Sequence, residues 1–357
     1  MYLHVKNAIS FLSPTGQLSH VGMVVMEGLI ELGCTVFSND FRQEQIRSPD
    51  ISREGTLVVN DNSVIFSSKL TEGILIVDSS QGLGPYGDLL SGLGNSRPIA
   101  YLNMNDGVNL VDFPITTVAF CTHQNKNARR IGNIFPIPFG LSKSLIRFAN
   151  ESDLLHKGSR ATVIDNFRST FQQGVRNFCY LSLVPHLKRQ LTVQSGILDS
   201  ASYRSLLASS HAVLCYGGEI FRSFENNPGL PVPAIMRNFA HLSADPVILR
   251  WDSWRFWECC AFGCAPIMLD FDYYGLVLDQ NPVPFLHYIP VRFGEEKFLA
   301  EEIGDRLNSD PNFLLNIGMN ARNWAMRHYS PAAIASYVLR KIQDFYGITS
   351  FSLDTPS

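Results

Sequence analysis

No window of about twenty residues stays apolar in this 357-residue chain, so neither a membrane-spanning helix nor the core of a secretory signal is expected. No run of like charge occurs either. Lys and Arg total 29 against 32 Asp and Glu, a formal net charge of -3. A nucleic-acid surface or a stripe for anionic lipid needs a basic excess, so neither nucleic acid nor membrane is an expected partner. The seven cysteines (Cys34, Cys121, Cys179, Cys215, Cys259, Cys260 and Cys264) are odd in number and scattered. Cys259, Cys260 and Cys264 lack a second ligand pair at zinc-site spacing, which argues against a metal. Several sit in apolar runs such as AVLCY and FWECCAFGC, as small buried side chains of a reducing compartment do, so a cytoplasmic chain is expected. No P-loop, Ser–His–Asp or Cys–His arrangement, or nucleic-acid module stands out. The loops GQLSHVG and SSQGLGPYG do not give G-x-G-x-x-G between strand and helix, which leaves a dinucleotide cofactor unsupported. Internal repeats and low-complexity segments are missing too.

What is present is an ordinary globular balance, 45% hydrophobic and 17% charged, over roughly twice the length of one domain. Two domains follow. Residues 2–12 and 35–37 read as strands around an amphipathic helix, Val21 to Leu32, stopped by Gly33. Short apolar runs recur at Val64–Phe66, Ile74–Asp78, Pro98–Leu102 and Thr116–Phe120, each ending near a polar or Gly-rich loop. Strands alternating with helices predict a largely parallel α/β sheet, with ligands at the loops beyond the strands' carboxyl ends. Between residues 131 and 160 the proline-bearing IFPIPFGLS gives way to the polar FANESDLLHKGSR, the expected crossing between domains at 1–150 and 151–330.

The alternation then restarts: ATVIDNF as a strand, Gln172 to Leu187 as a helix, LTV as a strand, Tyr203–Ser209 as a helix and HAVLCY as a buried strand. WDSWRFWECCAFG reads as a helix and APIML as a strand. The tail is helical, with starts marked by Asp310-Pro311 and Ser330-Pro331.

The block RWDSWRFWECCAFGCAPIMLD holds the most chemistry. Asp252 or Ser253 can cap a helix whose free N–H groups make an anion site. Arg255 and Glu258, three apart, share a face. Such a pair suits a nucleotide diphosphate, the Arg on phosphate oxygens and the Glu on ribose hydroxyls; the same spacing also describes a solvated surface pair. Trp251, Trp254 and Trp257 form either a core stripe or a platform for a base.

The wider pattern resembles the exostosin-like glycosyltransferases. Tyr203–SLLASS–HAVLCYGGE, then Ser253-Trp-Arg255-Phe-Trp-Glu258, then Gly263-Cys264-Ala-Pro266-IML match the order of elements in their donor domain. RATVIDNFRSTFQQGVRNF is similar to that domain's opening strand, loop and helix, and RNWAMRHYSPAAIASYVL to its closing helices. The resemblance covers about 190 residues of the second half. It implies the α/β GT-B architecture: two facing Rossmann-like domains with C-terminal helices crossing between them, helix 331–350 joining the first. It implies transfer of a sugar from a nucleotide-sugar, UDP- or GDP-linked, to a hydroxyl of a glycan or small acceptor, with no resident cofactor. Glu258 would bind ribose or sugar hydroxyls and Arg255 would sit near the diphosphate. Arg168 and Ser169 would contact phosphate, Ser253 would open the helix, and Gly217 and Gly218 would admit the base or ribose, or simply turn the chain.

One departure bears on mechanism. Many retaining GT-B enzymes carry a glutamate eight residues before the equivalent of Glu258, where this chain has Arg250. That favours inversion, which needs a general base in the first domain. His20, Asp106 and His123, all at expected strand ends, are the alternatives. Two competing readings remain. Asp270-Phe271-Asp272 after APIML has the form of a metal-binding pair in a GT-A transferase. An inactive protein that only binds a sugar nucleotide would share the same donor block.

Overall fold

A computed structural model describes residues 8–14, 16–39, 64–66, 73–80, 82, 90, 97–104, 113–126, 133–152, 161–165, 174–196, 200–221 and 247–348. The chain forms two compact units. The first comprises Met1–Thr122, Arg130–Ser144 and His328–Ser357, and the second His123–Arg129 and Leu145–Arg327.

The strands of the first unit are β1 (Ala8–Leu12), β2 (Thr35–Ser38), β3 (Val64–Phe66), β4 (Ile74–Asp78), β5 (Ile99–Asn103), β6 (Val118–Cys121) and β7 (Asn133–Pro136). Those of the second are β8 (Thr162–Asp165), β9 (Thr192–Ser195), β10 (Ala212–Leu214), β11 (Glu219–Phe221), β12 (Val247–Leu249), β13 (Ala265–Leu269) and β14 (Ile289–Val291). The described helices are α1 (His20–Glu31), α2 (Lys143–Asn150), α3 (Gly174–Ser182), α4 (Val184–Gln190), α5 (Ser200–Ser209), α6 (Trp254–Ala261), α7 (Glu296–Ser309), α8 (Phe313–Tyr329) and α9 (Pro331–Tyr346).

The first sheet runs β3-β2-β1-β4-β5-β6-β7 with every pairing parallel. β4, β5 and β6 are buried along their whole length, as a parallel sheet covered on both faces requires. That is why ILIVD, IAYLN and VAFC show no alternation. Chain order reverses between β1 and β4, so the loops after those two strands flank the crevice where Rossmann folds take ligands. α1 begins at Ser19, whose hydroxyl accepts the Gly22 N–H at 3.2 Å, and ends before Gly33 in the left-handed region at φ +78. α9 lies against α1. A Cβ on Gly28 would stand 1.9 Å from the Pro331 carbonyl oxygen, so only glycine permits this approach. At the far end of α9, the Tyr346 hydroxyl donates to the Ile99 carbonyl at 2.8 Å.

The second sheet runs β14-β13-β10-β8-β9, again all parallel, with β11 and β12 as a separate antiparallel pair. Chain order reverses between β8 and β10. Two sequence expectations change here. Gln172 to Leu187 is not one helix but two, α3 and α4, because Pro185 in the first turn of α4 has no N–H and its ring would clash in a helix interior. The helix expected from Pro311 starts at Phe313. The Asp310 carboxylate accepts the Asn312 N–H at 2.9 Å and its carbonyl accepts Phe313, which makes a turn first.

Candidate functional site

In the second unit the chemistry gathers where β10 ends. Ser253 is the N-cap of α6, but its hydroxyl donates 2.9 Å to the Cys215 carbonyl instead of capping the helix. The Asp252 carboxylate accepts the Trp257 indole N–H at 2.7 Å. The capping expected of Ser253 is therefore replaced by a tie that fixes the start of α6 at the end of β10, beside the β8/β10 reversal. Arg255 is half-buried and Glu258 is 1% exposed, so they are no solvated surface pair. Burying a carboxylate costs on the order of several kcal/mol unless charges and donors compensate it. Tyr203 of α5 belongs to the same cluster. Burial holds its phenol well above the usual range, Glu258 pushes the same way and Arg255 opposes.

The three tryptophans divide. Trp257 is stacked on Trp324 (5.9 Å, 14°), and Trp251 donates from its indole to the Gln124 carbonyl at 3.0 Å, with its ring edge-on to Phe271. Both are buried framework, and Trp254 is half-buried. α6 closes at Gly263 (φ +60), and the Arg322 guanidinium donates to the Ala261 carbonyl, a cation at the negative end of the helix.

Gly217 and Gly218 follow β10. Gly218 has φ +113, and a Cβ there would lie 2.8 Å from the Leu249 carbonyl oxygen, so this position requires glycine. At Gly217 a Cβ would meet the Arg176 guanidinium at 3.5 Å and the Arg250 carbonyl oxygen at 3.6 Å, both ordinary contacts. The Gly218 carbonyl accepts the Val175 N–H of α3 at 3.2 Å, which brings the start of that helix to the glycine turn. Arg176, one residue further along α3, is the functional candidate sequence reasoning missed. Its signal was its place in the first turn of the helix that follows β8. Arg168 and Ser169, between β8 and α3, lie outside the described residues.

His123 belongs to the second unit. It sits in the left-handed region (φ 56), and its Nδ1 accepts the Asp252 N–H at 3.1 Å. In the neutral ring the proton then resides on Nε2, a donor. Gln124, Asn125 and Lys126 continue the attachment. The Gln124 carbonyl accepts Val277 N–H, the Asn125 amide donates to the Ile248 and Tyr274 carbonyls, and Lys126 N–H bonds Gly275.

In the first unit, His20 opens α1 at the β1/β4 reversal. Its Nε2 donates to the Phe139 carbonyl at 3.1 Å, which leaves Nδ1 as the basic nitrogen. Burial depresses its pKa to about 3, with the Phe139 bond opposing, so the ring is neutral at physiological pH. Asp78, at the end of β4, accepts the N–H of Ser19 and both the N–H and hydroxyl of Ser80. Asp106 lies outside the described residues.

No protein-family model and no curated protein matches this sequence. Solved structures do match its shape. An α-glucosyltransferase in complex with UDP-glucose and DNA containing an abasic site superposes with a TM-score of 0.50 at 11% identity, over 94% of this chain and 99% of that one. A glycosyltransferase from Rickettsia africae ESF-5 also scores 0.50, at 12% identity over 96% of this chain and 99% of that one. The fold is GT-B. In a GT-B chain Asp270 and Asp272 are not the metal pair of a GT-A transferase, which corrects that alternative. Buried Asp270 pairs with Arg292 Nε at 2.7 Å and accepts the Asp272 and Tyr273 N–H groups, both at 3.1 Å, so its carboxylate holds a turn. Among the described residues, no three His, Cys, Asp or Glu side chains group as metal ligands, and no helix of the GT-B chain is long and apolar enough to cross a membrane.

Proposed function

We propose that this chain is a glycosyltransferase that moves a sugar from a UDP- or GDP-linked donor to a hydroxyl of a glycan or small acceptor. The observation that carries the reading is Glu258, a buried carboxylate beside Arg255 and Tyr203 at the strand end where chain order reverses in the second sheet. In this reading Glu258 accepts from ribose or sugar hydroxyls, and Arg255, Arg176, Arg168 and Ser169 hold the diphosphate. Gly217 leaves room for the nucleoside. His123 and Ser253 position the backbone of residues 252–253 rather than touch the reacting atoms. The printed name of one neighbour, a transferase with UDP-glucose bound, supports the donor class.

Finer features belong to the same proposal. The Tyr203-to-Pro266 block supports an exostosin-like transferase, Arg250 at the position of the missing glutamate supports inversion, and the use of Asp270 in a turn supports a reaction without metal. Seven buried free thiols suit a reducing, cytoplasmic setting. An inverting base must come from the first unit. His20, at a pKa of about 3, is a weak one, which turns attention to Asp106.

The test is a thermal-shift panel of UDP-, GDP-, dTDP- and CMP-sugars, followed by nucleoside diphosphate release with the donor that binds. Glu258→Gln and Arg255→Ala should each lower kcat/KM about 100-fold or more while the fold survives, the loss expected of a buried charged hydrogen bond. Near-normal turnover in both would remove the basis of the assignment. A second reading, a binding protein without turnover, draws on the poor basicity of His20. Tight donor binding with neither hydrolysis nor transfer would favour it.

A further inference from the structure

We propose that Tyr203 is a specificity-determining residue of the donor site, reading a single donor hydroxyl together with Glu258 and rejecting donors that lack it. The inference deepens the reading above and rests on it. It is carried by a buried phenol hydroxyl that has no hydrogen-bond partner among the described residues.

Tyr203 stands at the end of the first turn of α5, the helix that leads into β10. In a parallel sheet such a helix starts at the carboxyl edge of the strands, the edge where ligands bind. α6 starts at the same edge, since Ser253 is tied to the end of β10 through Cys215. One turn beyond Tyr203, the Leu207 carbonyl accepts the Cys264 thiol at 3.2 Å, which fastens α5 beside the residues that close α6. The two helices bring Tyr203 and Glu258, 2% and 1% exposed, into one cluster with Arg255, all within the second unit. The charge of Glu258 acts on the phenol more strongly than that of Arg255.

A buried tyrosine hydroxyl ordinarily finds a partner, since leaving it unpaired forfeits the hydrogen bond it made to water. The thiols beside it are engaged elsewhere. Cys259 donates to the Cys264 carbonyl at 3.2 Å, and Cys215 to the carbonyls of Val213 and Arg255 at 3.3 and 3.4 Å. Phenylalanine would fill the same space without that cost, so packing does not account for the hydroxyl. The chemistry of the two groups names what does. A phenol has one hydrogen to give, and a carboxylate only accepts. An alcohol matches both, accepting from Tyr203 while donating to Glu258. A keto or ether oxygen has no hydrogen for Glu258, and an ammonium group has no lone pair for Tyr203. A nucleotide-sugar carries such alcohols on its ribose and on its sugar. Deleting the one that is read takes a bond from Tyr203 and Glu258 at once, and sites built this way reject the deoxy analogue far more strongly than a pocket that reads shape alone.

The test starts without ligand. Tyr203→Phe should melt no lower than the parent, because the hydroxyl bonds nothing in the free chain; a lower melting temperature assigns it a structural bond and overturns the proposal. Calorimetric titration of the full chain then uses UDP and GDP with their 2′-deoxy and 3′-deoxy forms. UDP-glucose and GDP-mannose follow, with forms deoxygenated at each hydroxyl-bearing sugar carbon in turn. One deletion should weaken binding to the parent about 100-fold; a nucleoside deletion places the hydroxyl on the ribose, a sugar deletion on the transferred sugar. Tyr203→Phe should bind the hydroxylated ligand about tenfold more weakly, and the same deletion should then cost it only about tenfold. Unchanged discrimination in the variant, or a parent that tolerates every deletion, overturns the inference while the donor site stands. Failure of the parent to bind any of these ligands refutes the functional reading itself, and this inference with it.

Discussion

Glu27 makes the sharpest physical prediction, since it places an acid where water cannot reach it. It lies buried on α1, and its Oε2 accepts the Lys143 N–H at 3.0 Å, serving the first turn of α2. Burial raises its pKa from 4.5 to about 8, outweighing the bond and charge of Lys143. A group whose folded pKa is raised keeps its proton in the native state while the unfolded chain loses it. The stability it supports is therefore full below pH 4.5 and is lost as pH rises toward 8. At pH 7 the unfolded chain has gained 2.5 units of ionisation that the folded chain resists, on the order of 3 kcal/mol at about 1.4 kcal/mol per unit. Glu27→Gln keeps a carbonyl for the Lys143 N–H and removes the ionisation. The variant should thus be more stable than the parent at pH 7 to 8, and the difference should shrink toward zero near pH 4.5. Urea unfolding of both chains between pH 4.5 and 8.5 measures it, and the difference between the two curves cancels every other titrating group. A variant less stable at pH 8, or a difference flat with pH, would refute the reasoning.

His20 titrates with the opposite sign. Its folded pKa lies below 6.5, so its stability is present above pH 6.5 and falls away as pH drops toward 3; His20→Asn should flatten the acid limb of the unfolding curve. Gly218→Ala should cost about 2–4 kcal/mol from a forced positive φ plus a tight contact, while Gly217→Ala should stay within about 0.5 kcal/mol; equal melting points for the two variants contradict the turn geometry. Gly28→Ala must separate α1 from Pro331, and it should lower the melting temperature by at least as much as Gly218→Ala; a silent substitution means the two helices do not meet there. Arg176→Ala should raise the KM for donor about tenfold with little change in melting temperature, as measured by initial rates and thermal shift; an unchanged KM takes Arg176 out of the donor site.

The fold was legible because its signals are local. ILIVD, IAYLN, VAFC and APIML are unbroken apolar runs, and a buried parallel strand has no exposed face to interrupt them. Gly33 and Gly263 stop helices by adopting positive φ, which a reader of the sequence can anticipate. The site was legible only in part. Glu258 and Arg255 stood out through their neighbours in the block, yet the pair alone could not reveal that the carboxylate is buried. Ser253 looked like a cap and became a tether, because its partner, Cys215, is brought close only by the sheet. His123 and Asp252 are 129 residues apart, and no spacing rule connects them. Arg176 was passed over because the glycine turn it faces belongs to another strand.

The packing of α9 on α1 at Gly28 also constrains how the chain is made. Synthesis runs from the N-terminus, so α1 leaves the ribosome roughly 300 residues before Pro331, an interval of about 15–60 s at ordinary elongation rates. Through that time the first unit lacks the helix that covers α1 and the tyrosine that bonds Ile99. The unit begun first is completed last. Its nascent form offers an uncovered apolar flank while the second unit is being translated, and a chaperone on emerging chains would meet this protein there.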